Sequence, residues 1–324
     1  MSDIAVYAVV HPAVMRFFGD FWNSLQPQLA DGFDAWLSLD GVSEDDVIAV
    51  TGRTAAVRFV EPPTESTSST STPIDVRRWA LSRLTDDYSA VVLLDSDDVL
   101  LPGRLAAAHR SLEQYDVYSC ALRVVDESTS PLPVPLFTLM QDGLERLQRG
   151  ALLATANVVG FGNSAFRSDV LQVCLDVPSD AVLMDWLVAS RAHLAGATFT
   201  FDTVPRMLYR QYGSNTANIL PPFTGERILA DTRLVLDHYR LLLSTPHGSR
   251  RSTEPFERAW TRVTSFLSWL EAQEHDVRTN LNEYVGRLNA LSTKTFLWWQ
   301  HVALDLPGLD FSSAPGSQEE EGRT

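Results

Sequence analysis

The chain has 324 residues, enough for one large domain or two ordinary ones, and its 45% hydrophobic content is that of a globular protein with a substantial core. A formal charge of −15, with one lysine (Lys294) against 25 arginines, excludes broad nucleic-acid binding, which needs a basic surface to neutralise phosphates. No run approaches eighteen apolar residues and the first residues lack the basic stretch and cleavage site of a signal peptide, so the chain reads as soluble and cytoplasmic, with Cys120 and Cys174 expected as buried thiols.

Taken in order, "IAVYAVV" predicts a strand, "VMRFFGDFWNSLQ" a helix by its apolar spacing, and "FDAWLSLD" a second strand. "AAVRFVE" is a third strand. The stretch "EPPTESTSSTSTP", Glu61 to Pro73, has no apolar residue and predicts a mobile surface loop. A helix "PIDVRRWALSRL" follows, with proline where a first turn tolerates one. Then come a strand "YSAVVLLD", a helix "PGRLAAAHRSLEQ" and a strand "DVYSCALRVV". From Pro131 to about Gly162 the pattern is irregular and predicts no element. Order returns with "NSAFRSDVL", a helix "DAVLMDWLVASRAHLAG" and two strands, "TFTFD" and "VPRMLYRQY". Alternating strands and helices imply an α/β fold with a mostly parallel central sheet flanked by helices.

After Pro222 the pattern becomes helical. "ERILADTRLVLDHYRLLL" is one helix, and the stripes Phe256, Trp260, Val263, Leu267, Leu270 and Val277, Leu281, Val285, Leu288, Leu291 continue the spacing. These apolar stripes need a partner, which the main domain or a second copy of the chain in a homodimer would supply. "FLWWQHVAL" has the aromatic character of a segment peripheral at the inner membrane, but it lacks flanking basic residues, which favours a core or interface role. The division expected is residues 1–218 as a nucleotide-binding domain, 219–310 as a C-terminal helical subdomain and 311–324 as a disordered tail.

The stretch "VVLLDSDDVLLPGRL" carries the most chemistry. Four β-formers run into Asp95, Ser96, Asp97 and Asp98, and in parallel sheets ligands sit outside the carboxyl ends of strands. Hard oxygens at i and i+2 can face a divalent cation that keeps its other positions for water and phosphate. The bland reading is a solvated turn or a helix cap, and Asp98 in particular suits the cap of the next helix. Asp185, in "LMDWLV", is a lone carboxylate among apolar neighbours, where its pKa would rise toward the range useful to a base. Arg210 suits either a diphosphate, through its planar fork, or a salt bridge. His11 follows the first strand, and Trp186 suits either a sugar platform or the core.

"LLDSDDVLLPGRL" resembles the DxD region of family-2 glycosyltransferases, enzymes with the A-type, Rossmann-like glycosyltransferase fold. Further stretches fall in that family's order over residues 4 to 218: "AWLSLDGVSEDD" is similar to its "VDDGSTD", "DVRRWALSRL" to "aRNxAl", "MDWLVASRAH" to "EDWdlwlR" and "YRQYGSNTA" to "YRxHgsNts". The resemblance implies an inverting hexosyltransferase that takes a sugar from a nucleotide-diphosphate donor to a saccharide or lipid-linked acceptor. It implies Mn2+ or Mg2+ on Asp97, with Asp95 near the ribose or a metal-bound water, Asp40 at the nucleotide base, Arg77 and Arg210 at the donor, and Asp185 as the base. Two departures stand out: Met184 where the family often has glutamate, and Tyr212 where it often has histidine.

Two other classes remain open on the residues. "VVLLDSDDVL" also fits the haloacid-dehalogenase phosphatase signature, with Asp95 as nucleophile. That chemistry needs a lysine and a later acidic motif, yet the only lysine is Lys294 and the nearest Gly-Asp pair, Gly19-Asp20, lies upstream. A sugar-nucleotide-binding homologue without turnover is the other, kept open by Met184 and Tyr212.

Overall fold

Seven consecutive buried residues, Ile4–Val10 (β1), form the central strand; an unbroken apolar run is what a strand covered on both faces needs. In the computed structural model, residues 3–311 are described apart from 53, 55, 61–71, 140–141, 214, 216, 218, 245–249, 272–277 and 292–295. Most of the loop expected at 61–73, Lys294 and the tail after 311 therefore lie outside the described residues.

The helix Met15–Leu25 (α1) buries Phe17, Phe18, Phe21, Trp22 and Leu25 and returns the chain to Asp34–Leu39 (β2), parallel to β1. Glu44–Thr51 (α2) starts from a capping box between Ser43 and Asp46. Periodicity does not reveal α2, because Val47 is its one buried residue. Val57–Phe59 (β3) pairs parallel with β2. Pro73–Asp87 (α3) starts from a second capping box, Thr72 with Asp75, and Ala90–Asp95 (β4) pairs parallel with β1 on the side away from β2. The order β3-β2-β1-β4 thus reverses between β1 and β4, and at such a switch point a sheet opens a crevice at its carboxyl edge.

Beyond β4 come Val99–Leu100 (β5), Arg104–Leu112 (α4), Val117–Val125 (β6), Pro131–Phe137 (β7), Gly143–Gln148 (α5), Ser164–Arg167 (β8), Ser168–Cys174 (α6), Met184–Leu194 (α7) and Phe199–Arg210 (β9). The strand order is β3-β2-β1-β4-β8-β6-β9-β5, with β7 added to β6. β8 is antiparallel to β4 and β6, while β6 and β9 are parallel, so the expected mixed α/β sheet holds with some strands antiparallel. "TFTFD" and "VPRMLYRQY" are one strand rather than two. Both runs pair with β6 across a register shift, and the Arg206 Nε to Asp202 Oδ2 contact of 2.7 Å spans the irregularity.

Gly225–Ser244 (α8), Glu254–Glu271 (α9) and Arg278–Asn289 (α10) follow. The stripe on α9 is Phe256, Ala259, Val263, Phe266 and Leu270, which leaves Trp260, expected in it, 41% exposed. After α10 the chain turns back into the fold. The Asn157 N–H donates to Trp298 O at 2.9 Å, the Tyr284 hydroxyl to His301 O at 2.5 Å, and Arg262 Nε to Ala303 O at 2.7 Å. His301 Nε2 lies 2.7 Å from Asp231 Oδ2, both residues buried. Cys120 and Cys174 are free and buried, and no helix among the described residues is long and apolar enough to cross a membrane.

Candidate active site

The carboxyl ends of β1 and β4 and the elements around them line one open cavity. At the end of β4 the four polar residues take different directions. Ser96 is buried and donates its hydroxyl to Val9 O at 2.6 Å, tying the turn to β1. Asp98 is buried too, and its Oδ1 accepts the Arg210 N–H at 2.8 Å. It does not cap α4, whose N-cap is Gly103 without a side-chain bond, because β5 intervenes and pairs with β9 before the helix begins. Asp95 and Asp97 line the cavity, as does Ser96 between them.

Arg77, presented by α3, also lines the cavity, with Nη2 3.9 Å from Asp95 Oδ1 and its guanidinium 5.8 Å above the Phe161 ring. Arg78 points elsewhere and holds Val177 O at 2.8 Å. The "GFG" at 160–162 lines the cavity. A Cβ on Gly162 would lie 2.6 Å from Asp95 Oδ2, and one on Gly160 would lie 2.6 Å from the Trp298 ring and 3.3 Å from Asp185 Oδ2. Glycine is required here by the close approach of backbone to carboxylate.

Asp185 faces the same cavity from the first turn of α7. Asn157 Nδ2 donates to its Oδ2 at 2.9 Å, and the Trp186 N–H donates to its Oδ1 at 2.7 Å. Its carboxyl pKa is raised by burial, against the lowering effect of the Trp186 N–H, Arg77 and Asn157. Burial raises Asp95 to about 6; Arg77 opposes the rise, and Asp97 and Asp185 add to it. Burial, followed by Asp97 and Asp95, also pushes Asp98 up. Carboxylates crowded in this way carry negative charge that a cation would relieve.

Arg210, expected at a diphosphate, is instead spent inside the fold. Its buried guanidinium bonds Asp97 O at 2.8 Å, Glu127 O, and Asp20 Oδ2 at 3.0 Å, lies 4.4 Å over the Phe17 ring, and does not line the cavity. As the last residue of β9 it braces the aspartate turn from behind. Tyr212 reaches the turn from the front, donating its hydroxyl to Asp97 Oδ2 at 2.5 Å. Asp40 sits half-buried at the carboxyl end of β2, where its N–H donates to Val10 O at 2.9 Å, outside the cavity lining; His11 is within it. Trp186 belongs to the core, donating its indole N–H to Leu153 O and stacking on His238. Sequence reasoning missed Asn157, Gly160, Gly162, Tyr209, Trp298 and Trp299. The glycine pair within an apolar stretch was the one local signal.

Among the described residues, no group of three or more His, Cys, Asp or Glu side chains forms a ready metal cage. Asp95 and Asp97 form an open two-carboxylate set: Asp95 is set deep enough in the cleft to lose much of its hydration, yet 37% of its side chain still faces the cavity's water. Such a set fits a hard divalent cation that completes its shell with phosphate and water, not one enclosed by protein.

No family model matches the chain, and no curated protein sequence matches it. Solved structures do. A mannosyltransferase from Pyrobaculum calidifontis, in complex with GDP-Man and Mn2+, aligns at TM-score 0.52 and 13% identity over 91% of this chain and 76% of its own. TarS of S. aureus aligns at TM-score 0.50 and 14% identity over 90% of this chain and 48% of its own, so the chain spans about half the length of TarS. At these identities the likeness is one of fold: a curled, mixed sheet flanked by helices.

Proposed function

We propose that the chain is an inverting glycosyltransferase of the family-2 type, which moves a sugar from a nucleotide-diphosphate sugar to an acceptor hydroxyl. The observation that carries this is the placing of Asp185 in one cavity with Asp95 and Asp97, at the sheet's switch point. The fold shared with a mannosyltransferase that holds GDP-Man and Mn2+ supports the same reading.

In this reading the nucleotide lies along the carboxyl edge, with Asp40 at the base and Arg77 near the phosphates. Asp97 and Asp95 would hold Mn2+ or Mg2+, which neutralises charge on the leaving diphosphate. Asp185 takes the proton of the acceptor hydroxyl as that oxygen bonds the anomeric carbon and the bond to the diphosphate oxygen breaks on the opposite face, so configuration inverts. Asn157 and the Trp186 N–H orient the Asp185 carboxylate, and burial raises its affinity for the proton. Arg210 positions the aspartate turn, contacting it only from within the fold.

Sugar-nucleotide consumption by the Asp185→Asn variant tests the assignment. The amide keeps the side chain's shape and cannot take the proton, so nucleotide binding is expected to survive while transfer falls by about 10²- to 10⁴-fold. Near-normal transfer would remove Asp185 as the base. Aspartyl-phosphate at Asp95 would support the phosphatase reading, and binding without turnover in the unmodified chain would support the silent homologue.

A further inference from the structure

The two oxygens of the Asp97 carboxylate are not equivalent. Oδ2 accepts the Tyr212 hydroxyl at 2.5 Å, whereas Oδ1, among the described residues, has no hydrogen bond or ion pair. Both residues line the cavity, so the phenol meets the carboxylate where a ligand would.

Tyr212 is held at both ends. Its N–H donates to Asn215 Oδ1 at 2.5 Å, and Asn215 Nδ2 donates to Arg210 O at 3.1 Å, which ties the chain after β9 back onto the end of the strand. Its ring lies 5.0 Å from that of Phe17, a buried residue of α1, and 5.3 Å from the Arg16 guanidinium. Arg16 is in turn paired with Glu127 at 3.3 Å, in the loop after β6. Arg210, bonded to Asp97 O at 2.8 Å, fixes the same aspartate through its backbone.

We infer that Tyr212 is a positioning residue, which makes Asp97 a one-oxygen ligand and so selects a small octahedral cation over Ca2+ at this turn. The inference deepens the proposed function and rests on its cation at Asp97 and Asp95. An oxygen that already accepts a hydrogen bond has less charge to offer a cation and one direction of approach closed. The same bond orients the other oxygen, as outer partners of metal ligands do. Mn2+ and Mg2+ take about six oxygens, and phosphate and water complete their shell where the protein gives one or two. Ca2+ gathers about six to eight, often by taking both oxygens of one carboxylate. At Asp97 the second oxygen is engaged, and Arg77 stands 3.9 Å from Oδ1 of Asp95. The phenol thus withholds what the larger ion needs and leaves what the smaller one uses.

Binding of Mn2+ alone to the full chain, read from the electron paramagnetic resonance of the free ion and competed with Ca2+, tests this in the unmodified chain and in Tyr212→Phe. Phenylalanine keeps the ring against Phe17 and Arg16 and removes only the hydroxyl, so the variant is expected to keep the native melting temperature, which checks its fold. The unmodified chain is expected to favour Mn2+ over Ca2+ by about tenfold or more. In the variant Mn2+ affinity is expected to fall by about 10- to 100-fold while Ca2+, gaining an oxygen, holds its own, so that most of the preference is lost. Equal weakening of both ions would reduce Tyr212 to a general support of the turn and overturn the inference, as would unchanged affinities or an unmodified chain without preference for Mn2+. Asp97→Asn in the same assay separates this claim from the one beneath it. If Mn2+ does not bind, or binds that variant as well as the unmodified chain, the cation's place at Asp97 falls and the inference with it. If Mn2+ binds through Asp97 and Tyr212→Phe leaves the Mn2+-to-Ca2+ ratio unchanged, the inference falls alone.

Discussion

Gly162 shows how little slack the acidic turn has. A methyl group there would press on Asp95 Oδ2 at 2.6 Å, and Asp98 Oδ2 would stand only 3.4 Å away. Gly162→Ala is therefore expected to cost about 1–3 kcal/mol of stability, as overpacking does, and to weaken cation-dependent nucleotide binding by displacing Asp95. Thermal melts and calorimetry read the two effects, and an unchanged nucleotide affinity would show that Asp95 does not set the site. The raised carboxyl pKa values give a pH dependence with a definite sign. If Asp185 is the base proposed above, it acts only when ionised, so transfer is expected to fall as pH drops through its raised pKa, above the usual carboxylate range. Asp95, held at about 6, must lose a proton to face a cation. Mn2+ affinity is thus expected to weaken as pH falls through that value, with proton release on binding near it; calorimetry in two buffers of different ionisation enthalpy would detect the release.

At the scale of elements, the site depends on a segment that sequence patterns do not connect to it. Residues 296–303 come from beyond three helices, yet Trp298 and Trp299 line the cavity. Trp299 and Ala303 adopt positive φ, 67° and 49°, a conformation that persists for such residues only where the surroundings fix it. The buried contact of His301 with Asp231, itself paired with Arg227 at 2.8 Å, is one such anchor. His301→Ala leaves an oxygen of Asp231 without this partner and is expected to cost about 1–3 kcal/mol, read as a lower denaturant midpoint; an unchanged midpoint would mean that the segment is held elsewhere. What was legible in the sequence was local. The run ending at Asp95, the proline at the start of α3 and the lone Asp185 each announce themselves within a dozen residues. Arg210 stayed open between a diphosphate and a salt bridge because strand periodicity does not say which neighbour covers its face; the structure gives it Asp20. Asn157 and Trp298 were missed because their roles arise from an isolated bridge between residues 141 positions apart. α2 was missed because a nearly all-exposed helix leaves no apolar stripe.

For the whole molecule, the helices after Pro222 and the sheet share one core rather than meeting at a surface. Tyr239 of α8 donates its hydroxyl to Ala154 O at 2.6 Å, His238 stacks on Trp186, and Asn157, which holds Asp185, is bridged to Trp298. Truncation at Pro222 is accordingly expected to give an insoluble or unfolded product, and a soluble fragment with native stability and nucleotide affinity would contradict that. Sugar transfer at this cavity would depend above all on nucleotide diphosphate and divalent cation binding together at Asp97. Calorimetric titration of nucleoside diphosphates into the full chain, with Mn2+ and then with chelator, and again with Asp97→Asn, measures it most directly. Cooperative binding with Mn2+ that weakens by tenfold or more in chelator and in the variant is the expected result. Equal affinity in all three conditions, or no nucleotide binding in any, would contradict it.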